Sequence, residues 1–192
     1  MEDAWPARTF GSGRAILRSI VLVVVVALVI GAATALGQQY LPDAIRSLAN
    51  AAGPWFFAIL IAVRIGHRPL ILSILLAIVG FALLNGAYGL VTVLRGYPYP
   101  LVNIWTVVAI PAGIVVGCAA TWLDSPRRPL AALAILAPAL VLVAEGVYGL
   151  TVVLATTGPV VWILEFAGAV AWVVWALART RTSARSPAAR PS

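Results

Sequence analysis

Six long apolar runs dominate the chain, and runs of this length leave a polypeptide few places to fold. A helix needs roughly 20 apolar residues to cross the ~30 Å hydrocarbon core of a bilayer. Inside that core only helices and closed barrels satisfy every backbone polar group. The runs cover residues 16–36, 54–65, 70–94, 101–123, 130–155 and 160–178, the second being short. Connections are mostly four to seven residues, so consecutive helices must lie as antiparallel neighbours. The expected fold is all-α: six transmembrane helices in antiparallel hairpins, forming one domain over 16–178.

Composition agrees. Of 192 residues 62% are hydrophobic and 10% charged, too few charges to cover a globule of this size in water. The single Cys118 excludes a disulfide scaffold. A net charge of +7 raises the question of nucleic acid, but the thirteen basic residues, all arginine, lie between apolar blocks rather than on one polar surface. Nucleic acid is therefore not an expected partner.

Arginines in short loops mark the cytoplasmic side. Eleven fall on one side: Arg8, Arg14, Arg18, Arg64, Arg68, Arg127, Arg128, Arg179, Arg181, Arg185 and Arg190. Only Arg46 and Arg95 fall on the other. This asymmetry predicts both termini in the cytoplasm and a cell-membrane location. Residues 1–15 read as a cytoplasmic segment, and 179–192 as a basic tail, disordered from Ser183 and held near anionic headgroups. Arg14, Arg18 and the small residues Ala33, Thr34 and Ala35 resemble a secretory signal, but the apolar run exceeds a typical h-region, so an uncleaved first helix is expected. Tyr97 and Tyr99 in an outer turn, and Trp172 and Trp175 near the inner end of the last span, read as interfacial anchors.

The chain also repeats itself at a spacing of sixty. Arg68-Pro69-Leu70 is echoed by Arg128-Pro129-Leu130, and Tyr88-Gly89-Leu90 by Tyr148-Gly149-Leu150. A one-residue deletion then aligns Pro100 with Pro159 and Thr106 with Glu165. Spans three and four therefore read as a parallel repeat of spans five and six. Asn85 in the first copy corresponds to Glu145 in the second; Asn85 with Tyr88, and Glu145 with Tyr148, each share a helix face.

Glu145 and Glu165 are the ionisable residues well inside the spans, at depths of roughly 15 and 8 Å from the outer end at 1.5 Å per residue. An intramembrane carboxylate costs a few kcal/mol unless paired, protonated or wet. Either a functional role as cation ligand or proton carrier, or a plain hydrogen bond to a neighbouring helix, meets that cost. The outer segment 37–54 reads as an amphipathic helix: Asp43 stands where it can cap behind Pro42, and Leu41, Ile45 and Leu48 form one apolar stripe. As a re-entrant piece it would carry Gln38, Asn50 and Trp55 over a cavity holding Glu145; as a connector it would lie on the membrane surface.

The pattern G-x-x-T-x-x-G-Q-x-x-L-P followed by S-L-A-N-x-A-G-P-W, between Gly31 and Trp55, resembles a family of small bacterial multi-pass membrane proteins of unknown function. The resemblance implies a shared fold and supplies no chemistry. A looser architectural likeness is to the substrate-binding subunits of energy-coupling-factor vitamin transporters. It implies docking on a membrane partner through small residues of the first helix, here Ala27, Gly31 and Ala35. Close packing inside any bundle explains such a stripe equally well.

Signatures of common enzymes are missing: no H-E-x-x-H, G-x-S-x-G, P-loop or Cys/His cluster occurs. An enzyme is not expected, and neither a cofactor nor a metal. The leading expectation is a membrane protein that binds or transports a small solute or cation in an outer-half cavity lined by Glu145, Tyr148, Asn85, Tyr88, Glu165, Gln38, Asn50 and Trp55. The alternative is a structural or regulatory membrane subunit, with an intramembrane enzyme third. Expected partners are the bilayer, the solute or cation, and a membrane subunit or further copies of the chain.

Overall fold

The computed structural model describes residues 13–66, 69–100 and 102–185. Expectations that fall on 1–12, His67, Arg68, Leu101 and 186–192 lie outside the described residues. The described chain is helical throughout, with seven α-helices and one 3₁₀ helix: α1 (Gly13–Tyr40), the 3₁₀ segment (Asp43–Asn50), α2 (Gly53–Gly66), α3 (Leu70–Leu94), α4 (Ile104–Trp122), α5 (Arg128–Thr151), the single turn α6 (Leu154–Thr157) and α7 (Val160–Arg185).

Five helices, α1, α3, α4, α5 and α7, are each long and apolar enough to cross a membrane. The second expected span is different. Fourteen residues of α2 reach only about 21 Å, short of the hydrocarbon thickness. The 3₁₀ segment precedes it, bent from α2 by 54°, and the two together have the length and apolar character of a broken span or a re-entrant loop. Pro54 explains the restart, since the first turn of a helix is where proline costs nothing, and Ala51, extended at φ −83° and ψ 134°, ends the 3₁₀ segment.

The buried positions of the 3₁₀ segment are Ser47 and Ala49, while Leu48, expected in the apolar stripe, is exposed. Asp43 makes no cap; it pairs instead with Arg46, 2.7 Å away. The start of α4 follows local chemistry more closely. Asn103 accepts from the N–H groups of Trp105 and Thr106, and Thr106 Oγ1 accepts from the Asn103 N–H, closing a reciprocal cap.

Val23, Ala27, Ile59, Leu60, Leu84 and Val116 form the centre of the core, where α1, α2, α3 and α4 meet. Small residues set the close approaches. A Cβ on Gly31 would stand 3.0 Å from Ala87 Cβ and nearer still to the Leu84 carbonyl oxygen, so α1 touches the α3 backbone. Ala27, Gly31 and Ala35 are all buried within the chain. In the stripe that the transporter likeness assigns to a partner subunit, Gly31 is closed against the chain's own third helix.

At the opposite end from the 3₁₀ segment, Arg64 on α2 bonds the Ala120 carbonyl and the Asp124 carboxylate, tying α2 to the end of α4. Helix α7 takes in residues 179–185, which the sequence places in the tail, including 183–185 of the stretch expected to be disordered.

Candidate functional site

The break between the 3₁₀ segment and α2 leaves backbone N–H groups at a helix start with no intrahelical partner. Their acceptors must come from water or from another helix. Glu145 of α5 supplies two: Oε1 accepts from the Ala52 N–H and Oε2 from the Gly53 N–H, both at 2.5 Å. A carboxylate at a helix N-terminus also meets the positive end of the helix dipole, which together with charge-assisted hydrogen bonding offsets its desolvation. Both oxygens of Glu145 are thus committed to the backbone.

On the α3 and α4 side of this break, several of the expected residues converge. Gln38 Nε2 donates to Asn50 Oδ1 at 2.8 Å, and Tyr88 Oη donates to Gln38 Oε1 at 3.0 Å. Asn85, only 4% exposed, accepts from Tyr99 Oη at 2.6 Å and donates to Thr106 Oγ1 at 3.2 Å. Trp55 donates through Nε1 to Thr34 Oγ1 at 2.9 Å. Its ring lies 5.8 Å from that of Tyr88 and 5.9 Å from that of Trp105.

Two adjoining cavities result. A polar one of about 120 Å³ is lined by Gln38, Asn50, Trp55, Tyr88, Tyr99 and Trp105. A largely apolar one of about 220 Å³ lies deeper, lined by Trp55, Phe56, Phe81, Asn85, Trp105 and Val115 among others. Ala52, Trp55 and Trp105 belong to both walls, so the two form one composite space with an amide-rich mouth and an aromatic and aliphatic floor.

The remaining expected residues lie elsewhere. Tyr148 is 54% exposed on the outside of α5, because the packing of α5 on α7 turns Gly146 and Gly149 inward and the tyrosine outward. Glu145 is in the lining of neither cavity; it sits behind the break. Glu165 of α7 is buried on the far side of Gly53 and lines a third cavity with Leu48, Pro54, Phe57, Leu142 and Leu164. The single cavity that the sequence suggests is therefore divided by the Ala52–Gly53 peptide.

Tyr99, Trp105 and Thr106 join the composite site, and the sequence reading missed their role. Tyr99 reads as an interfacial anchor, yet it folds inward over Gly89, where a Cβ would come within 2.5 Å of the tyrosine ring. A glycine one turn beyond Asn85, facing a Tyr-Pro-Tyr-Pro turn, is the signal that could have found it. Tyr97 remains exposed, as an anchor should be.

Among the described residues no cluster of three or more His, Cys, Asp or Glu could hold a metal ion. Buried amides, aromatic rings and carbon walls bind by shape and hydrogen bonding; they offer no nucleophile with an adjacent base.

Five continuous apolar helices, each long enough to cross a bilayer, in a chain whose described residues are all-α define a multi-pass helical membrane protein. Within that class the chain matches the family of unknown function DUF6518 over residues 11–190, and it belongs to that family. No curated protein and no solved structure matches it.

Proposed function

We propose that this protein binds a small solute in the composite cavity between α1, α2, α3 and α4, as a step in moving it across, or sensing it at, the membrane. One observation carries the reading. Asn85 is buried in a cavity wall yet uses one N–H and one oxygen lone pair on protein partners, leaving a second N–H and a second lone pair. Beside it, Trp55 and Trp105 supply flat apolar walls. A few directed polar groups on an apolar cavity are the usual make-up of a small-ligand site.

The arginine asymmetry supports cytoplasmic termini in a cell membrane, with the site in the outer half. Duplication is part of the same proposal: Asn85 hydrogen-bonds Thr106, and the residues aligned with them, Glu145 and Glu165, flank the same glycine. A helical hairpin copied in tandem would carry a polar pair to equivalent depths in each half. Of the first pair Asn85 lines the composite cavity, and of the second Glu145 caps the break. No enzymatic activity is proposed.

Glu145 favours a second reading, a structural or regulatory membrane subunit, because capping α2 consumes both of its oxygens. Native mass spectrometry of the protein, released gently from the membrane in which it is made, separates the two. A reproducible small molecule whose occupancy falls with Asn85→Leu supports solute binding. A wild-type chain carrying lipid alone, or a ligand held equally by Asn85→Leu, would falsify the site.

A further inference from the structure

The third cavity poses a different chemical problem from the first two. It occupies about 270 Å³ between the 3₁₀ segment, α2, α5 and α7. Its lining is Leu48, Gly53, Pro54, Phe57, Leu142, Val161, Leu164 and Gly168, with Glu165 as the one ionisable side chain. Leu48 and Leu164 are exposed on the outer surface of the bundle, so the cavity opens sideways, toward hydrocarbon.

Glu165 is 5% exposed, and its Oε2 has no hydrogen-bond partner among the described residues. Its carboxyl lies over Gly53, whose missing side chain makes the room: a Cβ there would stand 2.5 Å from Oε2 and 2.7 Å from Oε1. The Gly53 N–H is already taken by Glu145. Two carboxyl groups therefore face one glycine in a low-dielectric setting with a single set of donors between them. Leaving a buried acceptor unmatched is costly, and a negative charge in hydrocarbon more so.

Protonation removes the charge but adds no partner from outside the carboxyl, whereas a group that donates hydrogen bonds and carries positive charge resolves both terms together. A divalent metal does not fit, because it requires several oxygen ligands and this wall supplies carbon. An anion is repelled, and a neutral hydrocarbon leaves the carboxyl unmatched. We propose that the cavity is a binding site for a lipophilic ammonium: an amine head donating to Glu165, and an aliphatic body packed against Leu48, Phe57, Leu142 and Leu164 after entry from the bilayer. The site is separate from the composite cavity and does not depend on solute binding there.

The test uses the full chain in phosphatidylcholine nanodiscs titrated with n-octylammonium and, in parallel, 1-octanol, with binding followed by calorimetry. Saturable binding of octylammonium at least about tenfold tighter than octanol is expected, the factor that one charge-assisted hydrogen bond supplies. Glu165→Gln should bring the two ligands to near parity. Leu164→Trp, which narrows the lateral mouth and keeps Glu165, should weaken both ligands. Equal affinity of the wild type for octanol and octylammonium would reduce the cavity to an acyl-chain pocket and overturn the proposal. So would an amine preference that survives Glu165→Gln. Should that variant fail to fold, undiminished amine binding in Leu164→Trp overturns it independently.

Discussion

Glu145 on α5 accepts a hydrogen bond from the backbone N–H of Gly53 at 2.5 Å, joining residues 92 positions apart in the chain. With the matching bond from Ala52, it supplies acceptors to the first N–H groups of a helix that starts inside the bundle. Glu145→Ala removes both acceptors and leaves two buried donors bare. A loss of about 2 kcal/mol or more is expected, as for other buried groups deprived of a charged partner. Glu145→Gln keeps one acceptor oxygen and should lose about half as much. Thermal unfolding in detergent measures both, and equal stability of the three proteins would show that the cap contributes nothing.

Gly53→Ala tests the crowding on the other side of the same residue. Its Cβ would meet both oxygens of Glu165 and come within 2.8 Å of Leu142 Cδ2. Overpacking of this kind typically costs about 1–3 kcal/mol. Because the carboxyl supplies part of the clash, the double variant Gly53→Ala/Glu165→Ala should lose less than the two single losses added together. Strict additivity in the unfolding midpoints would place Glu165 away from Gly53.

At the composite cavity the sensitive position is Gly89. Gly89→Ala drives a methyl into the Tyr99 ring and should displace its hydroxyl from Asn85, because the ring must move off the helix to make room. Trp55 and Trp105 line the space that the ring would vacate or invade, so their fluorescence should shift in Gly89→Ala and remain unchanged in Tyr97→Phe, whose side chain is exposed. A wild-type spectrum in Gly89→Ala would mean that Tyr99 is not held over the site.

Gly31 and Gly86 offer a controlled comparison, both glycines in spanning helices. Gly31→Ala meets the Leu84 carbonyl, a backbone atom that cannot move aside, and should lower stability or yield sharply. Gly86→Ala meets nothing within 4 Å, and with the higher helix propensity of alanine it should be neutral or stabilising by up to about 1 kcal/mol. Folded yield and unfolding temperature compare the two. A tolerated Gly31→Ala would mean that α1 does not approach α3 as closely as described.

Much of the architecture was legible along the chain, since each apolar run had to become a helix for want of any other way to satisfy its backbone in lipid. The five long helices lie where the runs lie, and the short run from Pro54 became the short α2. The 3₁₀ segment bent by 54° from α2 was not legible, because tertiary packing, and not the spacing of Leu41, Ile45 and Leu48, turns Ser47 and Ala49 inward. Five of the eight residues singled out for the site, Gln38, Asn50, Trp55, Asn85 and Tyr88, do meet around one space.

The sequence by itself determined that the chain is helical and membrane-spanning, and which residues sit near the same depth. Those are properties of hydropathy and of a fixed rise per residue, and they need no knowledge of neighbours. Only the tertiary structure decided which residues at that depth face one another. Rotation of each helix about its axis is set by contacts such as Gly31 on Leu84 and Gly146 on Phe166, and these turned Tyr148 outward, committed Glu145 to the backbone of a broken helix, and left Glu165 alone in a cavity of its own.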